Sequence, residues 1–165
     1  MFRKTNAAMQ RITPFLWFDN QAEEAMNFYV SIFTNSKTGT VTHYGDGMPL
    51  PKETVMTASF ELDGQEFVAL NGGPMFKFTE AISFVVNCDT QEEVDRNWEK
   101  LSEGGETSQC GWLKDKYGLS WQVVPTALQE MLQGDDPARS QRVMDAVMKM
   151  QKLDLATLKR AYEQE

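Results

Sequence analysis

The strongest constraint on how this chain can fold is that it repeats itself. Displacing the sequence by 69 positions lays Phe-Leu-Trp-Phe-Asp-Asn-Gln-Ala-Glu-Glu, residues 15–24, on Phe-Val-Val-Asn-Cys-Asp-Thr-Gln-Glu-Glu, residues 84–93. Phe15 meets Phe84, Glu23 meets Glu92, Glu24 meets Glu93, Tyr29 meets Trp98 and Ile32 meets Leu101. An apolar run followed by an acidic helix start therefore occurs twice. Two copies of one strand and helix unit define a scaffold, and the chemistry has to be sought in individual side chains.

Within the first copy, Ile12 to Phe18 reads as a short buried strand. Asn20 stands three residues before Glu23, the spacing of a capping box. Ala22, Ala25, Met26, Tyr29, Ile32 and Phe33 then form one apolar stripe at helical spacing. Strands are expected at Thr38 to Tyr44, Val55 to Leu62 and Gln65 to Asn71. The last two are joined by Asp63-Gly64, a tight-turn signal because both central residues of such a turn need positive φ. The Gly-rich and Pro-rich residues 45–54 read as a loop that can flank a pocket.

The second copy repeats the order. Ala81 to Asn87 is strand-like, Thr90 and Glu93 form another capping box, and Val94, Trp98 and Leu101 make the helix stripe that Gly104-Gly105 stops. Thr107 to Gln109, Gly111 to Lys114 and Leu119 to Val124 follow as strands, with Asp115-Lys116-Tyr117-Gly118 as the middle turn. Each half is thus βαβββ. Beyond Pro125 helix formers take over: Asp136-Pro137 starts a helix whose Val143, Met144, Val147 and Met148 form one face, and Asp154 caps a last helix bearing Leu155, Leu158 and Tyr162. The expected organisation is an α+β chain with an N-terminal arm at 1–11, βαβββ units at 12–73 and 74–125, and a helical extension at 126–165.

With 165 residues, 41% of them hydrophobic, the chain can bury a core. Its formal charge of -8 opposes attraction to nucleic acid or to an anionic membrane surface. No signal core and no run of about 18 apolar residues is present, so a cytoplasmic protein is expected. Cys88 and Cys110 show no CxxC spacing and are expected to be reduced.

Three stretches carry a resemblance: Pro14-Phe-Leu-Trp-Phe-Asp-Asn-Gln-Ala-Glu-Glu-Ala-Met-Asn-Phe-Tyr, Asp115-Lys-Tyr-Gly-Leu-Ser-Trp-Gln-Val-Val-Pro, and Val147-Met-Lys-Met-Gln-Lys-Leu-Asp. With the tandem βαβββ order, they resemble the PhnB-like branch of the vicinal-oxygen-chelate superfamily of glyoxalases, dioxygenases and antibiotic-resistance proteins. Members of this branch often carry the name 3-demethylubiquinone-9 3-methyltransferase. The resemblance implies a mixed sheet curled around a cavity, a homodimer, and, in metal-dependent relatives, one His, Glu or Gln ligand on the first and last strand of each unit. Carried over by position, those ligands fall at Ile12 (or Pro14 if the register slips), Val68, Ala81 and Gln122. Only Gln122 has a ligating atom, whereas a catalytic site needs about three protein ligands. No metal and no cofactor is expected. The methyltransferase name has no sequence support either, because Asn71-Gly72-Gly73-Pro74 is followed by Met-Phe-Lys-Phe and not by the helix that a Rossmann-type cofactor loop requires.

Strand alternation suggests what lines the cavity. If Gln122 points inward, so do Ser120 and Val124, leaving Trp121 and Val123 against the helices. Ser83 and Val85 join Ala81, and Leu16 joins Ile12 and Pro14. The expected ligand-binding set is Leu16, Val68, Ser83, Val85, Ser120 and Gln122, a mainly apolar surface on which Ser83 and Gln122 are polar handles or simply satisfy each other. His43 offers a general base, although a polar residue closing a strand is the plainer reading. Cys110 offers a thiol, with packing the plainer reading. Glu23-Glu24 and Glu92-Glu93 suit the positive end of a helix dipole better than catalysis. These residues point first to a metal-free protein that binds a small hydrophobic or amphipathic molecule. The alternatives are a divergent enzyme of the superfamily, either a metal-dependent lyase or dioxygenase or a transferase, and a partner-binding protein that uses its tail.

Overall fold

The computed structural model describes residues 10–164, so the expected N-terminal arm lies, up to residue 9, outside the described residues. The chain divides into two units, one ending at Lys77 and one beginning at Phe78.

In the first unit the tight turn forms as its sequence predicts: Asp63 has φ 47 and Gly64 φ 80, and Leu62 pairs with Gln65. That turn joins β3 (Val55–Leu62) to β4 (Gln65–Asn71). β1 (Phe15–Phe18) lies parallel to β4, β2 (Lys37–His43) lies antiparallel to β3, and the sheet order is β1-β4-β3-β2. One face carries Leu16, Phe18, Ala58, Phe60, Phe67 and Ala69, all buried, beneath α1 (Ala22–Ile32). From α1 come Ala25, Met26, Tyr29 and Ile32, the expected stripe. The Tyr29 ring stacks on Phe60 at 6.0 Å, and Phe60 stacks on Phe67 at 5.4 Å. An 11-residue helix is marginal alone. Burying each large side chain contributes roughly 1.5–3 kcal/mol, so packing on the sheet, not intrinsic propensity, fixes this helix.

The helix start departs from the expected capping box of Asn20 and Glu23. Gln21 is the N-cap, and its side chain makes no capping bond. Asn71, at the end of β4, supplies the cap: its Oδ1 accepts from the Ala22 amide at 2.8 Å, while its Nδ2 donates to the Val55 carbonyl at 3.0 Å. The Asn71 carbonyl in turn accepts from the Tyr44 hydroxyl at 2.6 Å. Strand and helix are locked by one buried amide from 49 residues away.

The second unit repeats the topology, with β5 (Ser83–Cys88), α2 (Gln91–Ser102), β6 (Glu106–Thr107), β7 (Trp112–Lys114) and β8 (Ser120–Pro125) in the order β5-β8-β7-β6, β5 parallel to β8. Here the box forms. Thr90 Oγ1 accepts from the Glu93 amide at 3.2 Å, and Glu93 Oε2 accepts from the Asp89 amide at 2.7 Å, one residue further back than the usual reciprocal bond. The middle turn is organised by the buried Asp115 carboxylate, which accepts from the amides of Tyr117 and Leu119 and from Trp121 Nε1 at 2.9 Å.

Three helices complete this unit: α3 (Thr126–Leu132), α4 (Pro137–Val147) and α5 (Leu155–Glu163). The expected caps hold, Asp136 for α4 and Asp154 for α5. Leu128, Met131, Val143, Val147, Leu153 and Leu158 form a cluster of their own. The expected four-residue face of α4 is narrower than its sequence suggests. Val143 and Val147, one turn apart, are buried, whereas Met144 and Met148, rotated by one position, are exposed. The segment docks through Gln91, whose side chain donates to the Leu153 carbonyl at 3.1 Å and accepts from the Leu155 amide at 2.7 Å. Lys152 adds an ion pair to Asp95 at 2.7 Å. The amides of Cys110 and Gly111 donate to Met150 and Gln151 at 2.8 Å each. Among the described residues, no helix is long and apolar enough to cross a membrane.

Candidate functional site

Each sheet has one face packed on its helix and one turned away from it, and the second is where a ligand can be met. In the first unit that face carries Phe15, Trp17, Val68 and Leu70, since Phe15 pairs with Val68 and Trp17 with Leu70. Leu16 therefore does not join Val68. It pairs with Ala69, is 7% exposed and belongs to the core under α1. The expected inward set is corrected at this residue, and Phe15 and Trp17 take its place.

The cause is a one-residue offset inside the repeat. Val68 follows Gly64, and Gln122 follows Gly118, by the same spacing; their parallel partners are Phe15 and Val85, 70 positions apart. The helix starts, Ala22 and Gln91, are 69 apart. The first unit therefore has one extra residue between strand and helix. An alignment that is correct for the helices inverts the faces of β1.

Trp17 is held in place by its own loop. Its Nε1 donates to the Gly73 carbonyl at 2.9 Å and its ring meets Phe76 edge-on at 4.9 Å. Gly72 approaches the Trp17 ring so closely that a Cβ there would overlap it. The Gly72 and Gly73 amides donate to the Phe18 and Asp19 carbonyls at 2.9 and 3.1 Å. These glycines make room for an indole, and their amides are engaged by the end of β1, so they do not form the anion cradle that a Rossmann-type nucleotide site needs.

In the second unit Ser83, Val85, Ser120 and Gln122 lie on the side of the sheet away from Trp121 and Val123. Val124, expected to join them in lining a cavity, instead packs against the helical cluster of Leu128, Val143 and Leu158. Ser83 pairs with Ser120 and Val85 with Gln122, while Trp121 and Val123 are buried on the other side. Gln122 Nε2 donates to Ser83 Oγ at 2.9 Å, so the two polar handles do meet each other. Val85 is half exposed. Strand β7 adds two residues that the alternation argument did not reach: Trp112 pairs with Gln122, and Lys114 pairs with Ser120. Lys114 is engaged by Glu80 in an ion pair. The Lys114 hydrogen bond holds the Glu80 carboxyl below its ordinary value, and Glu80 raises the Lys114 ammonium. Ser120 is fully buried, and its hydroxyl has no hydrogen-bond partner among the described residues.

The four positions to which the resemblance carries the superfamily's ligands stand as follows. Ile12 is exposed ahead of β1, Val68 is aliphatic, Ala81 precedes β5, and Gln122 offers one amide oxygen. Among the described residues, no three His, Cys, Asp or Glu side chains group closely enough to hold a metal ion. His43 is an exposed residue at the end of β2. Cys88 is buried, and burial pushes its thiol up, away from the reactive thiolate. Cys110 is partly exposed with its Sγ 3.5 Å from Met148 Sδ. Glu23, Glu24, Glu92 and Glu93 occupy first helical turns, as the dipole argument predicts.

Two mixed sheets of identical βαβββ order define a glyoxalase-type, vicinal-oxygen-chelate fold. A fosfomycin resistance protein, FosX, from Listeria monocytogenes is similar to it at TM-score 0.56 and 17% identity over 78% of this chain and 100% of its own. A protein from Pseudomonas aeruginosa is similar at TM-score 0.59 and 23% identity over 70% of this chain and 97% of its own. Residues 10–124 match the model of the 3-demethylubiquinone-9 3-methyltransferase family, and the chain belongs to that PhnB-like family. A PhnB protein from Bacillus cereus that carries the same methyltransferase name is 40% identical, with TM-score 0.66, over 71% of this chain and 100% of its own. No functionally curated protein matches the chain.

Proposed function

We propose that this chain is a metal-free member of the PhnB-like family that binds a small hydrophobic or amphipathic molecule on the open faces of its sheets. The observation that carries the reading is the substitution pattern on those faces. At the positions to which the resemblance carries the superfamily's ligands stand Ile12, Val68, Ala81 and Gln122, of which only Gln122 has a ligating atom, and its amide is hydrogen-bonded to Ser83. The open face of the first unit presents Phe15, Trp17 and Val68, and that of the second presents Val85 and Trp112; each is apolar and aromatic with few polar groups, which is the composition of small-molecule sites. A lyase or dioxygenase mechanism would need donors that these positions lack, and a methyl transfer would need a cofactor cradle that Gly72 and Gly73 do not provide. The protein is proposed to act in the cytoplasm as a homodimer, with no nucleic acid or membrane partner; the exposed Met144 of α4 and Met148 just after it support an apolar contact between copies.

Titration of the full chain with a panel of uncharged aromatic and aliphatic small molecules, followed by amide NMR, tests the proposal. Saturable shifts at Val68, Val85, Trp112 and Gln122 are expected. Shifts confined to the helices, or none, contradict it.

A further inference from the structure

The polar part of the open face in the second unit is ordered in two rows. Lys114, Ser120 and Ser83 are successive cross-strand neighbours in one row, and Trp112, Gln122 and Val85 in the next. Side chains paired directly across strands stand about 5 Å apart at Cβ, so the six form one surface. Three of its polar groups are incompletely used. Ser120 is wholly buried with an unpartnered hydroxyl, a destabilising condition unless something satisfies it. Ser83 accepts from Gln122 and keeps its own proton to donate, and Gln122 keeps Oε1 as an acceptor.

The one cation of the surface is already matched. Glu80 holds Lys114 in an ion pair, and Glu106 is the direct cross-strand partner of Lys114 on its other side. An incoming carboxylate would face two acidic neighbours around a single ammonium, on a chain of formal charge -8. A group with both an acceptor and a donor and no charge meets no such repulsion.

Resting on the small-molecule reading above, we infer that the ligand presents an uncharged carboxamide-type group to Ser120, Ser83 and Gln122, with its apolar body against Val85 and Trp112. The ligand carbonyl accepts from the Ser120 hydroxyl, with Ser83 as the second donor, and its N–H donates to Gln122 Oε1. Because Ser120 is wholly covered, one neighbour must move to admit the ligand. Lys114, its cross-strand partner, has the flexible and partly exposed side chain for that motion.

Octanamide and phenylacetamide, each set against octanoate and phenylacetate, test this on the full chain by calorimetry. The amides are expected to bind at least about tenfold more tightly than the carboxylates. Ser120→Ala, which removes an unsatisfied hydroxyl and should fold, is expected to weaken the amides about five- to tenfold, and Glu80→Gln, which releases Lys114, to narrow the preference for amide over carboxylate. Carboxylates binding as well as or better than amides overturns the inference and leaves the small-molecule reading standing. Unchanged amide affinity in Ser120→Ala does the same, because the hydroxyl is then satisfied by water alone. Binding of neither class overturns both.

Discussion

Asn71 is the residue on which the first unit turns. Its buried side chain bridges the Ala22 amide, in a buried bond, and the Val55 carbonyl, in a partly buried one. Asn71→Ala leaves a donor and an acceptor unpaired and should cost about 2–4 kcal/mol in urea denaturation. Asn20→Ala should cost under about 0.5 kcal/mol, since Asn20 is exposed and caps nothing. The reverse order would restore the capping box that local spacing suggests. Gly72 gives a second prediction at this scale. A methyl group there overlaps the Trp17 ring, so Gly72→Ala should lose about 1–3 kcal/mol and alter tryptophan fluorescence as Trp17 shifts from Gly73. Neither role was legible in the sequence. A cap 49 residues distant has no local spacing, and a Gly-Gly pair reads the same whether it makes room for a phosphate or for an indole.

At the scale of elements, the sequence was most informative where a single short segment carries the whole signal. Asp63-Gly64, Asp136-Pro137 and Asp154 each fix their turn or cap locally and stand where expected. The faces of β1 were not legible. The strand is only Phe15–Phe18, too short for alternation to be checked against itself, and the extra residue before α1 shifts its register within the repeat. The helical segment after Pro125 makes an acid-sensitive prediction. Asp95 is held below its ordinary value chiefly by the Lys152 hydrogen bond and then by Gln91, and Asp154 by the side-chain and backbone bonds of Thr157. Carboxyls lowered in the folded state bind fewer protons there than when unfolded. Their stabilisation is complete above the ordinary carboxylate value and is lost as pH falls through the lowered one, over a range starting near about pH 5. The hydrogen-exchange protection factors of α5 amides should therefore fall in acid before those of β3, β4 and β8. Uniform loss of protection in all elements would contradict this.

Across the whole molecule, duplication explains the scaffold and divergence explains the site. Both units keep the strand order, the parallel pairing of first and last strands and the helix on one face. On the opposite faces they differ: the first is aromatic and aliphatic, and the second carries the Ser83, Ser120 and Gln122 group beside Val85 and Trp112. That Val68, and in the other unit Ser83, Val85, Ser120 and Gln122, lie on the sheet faces turned away from α1 and α2 was legible because β4 and β8 are anchored by their turns. Trp112 and Lys114 were not, because β7 spans three residues and its pairing shows only in the folded sheet. The family fold is proposed to serve here without a bound metal. The most direct test is to load the full chain with Mn(II) or Zn(II), desalt it and measure metal by mass spectrometry. The account predicts retention far below one equivalent per chain, unchanged by Gln122→Ala. One equivalent retained, and lost in Gln122→Ala, would contradict it.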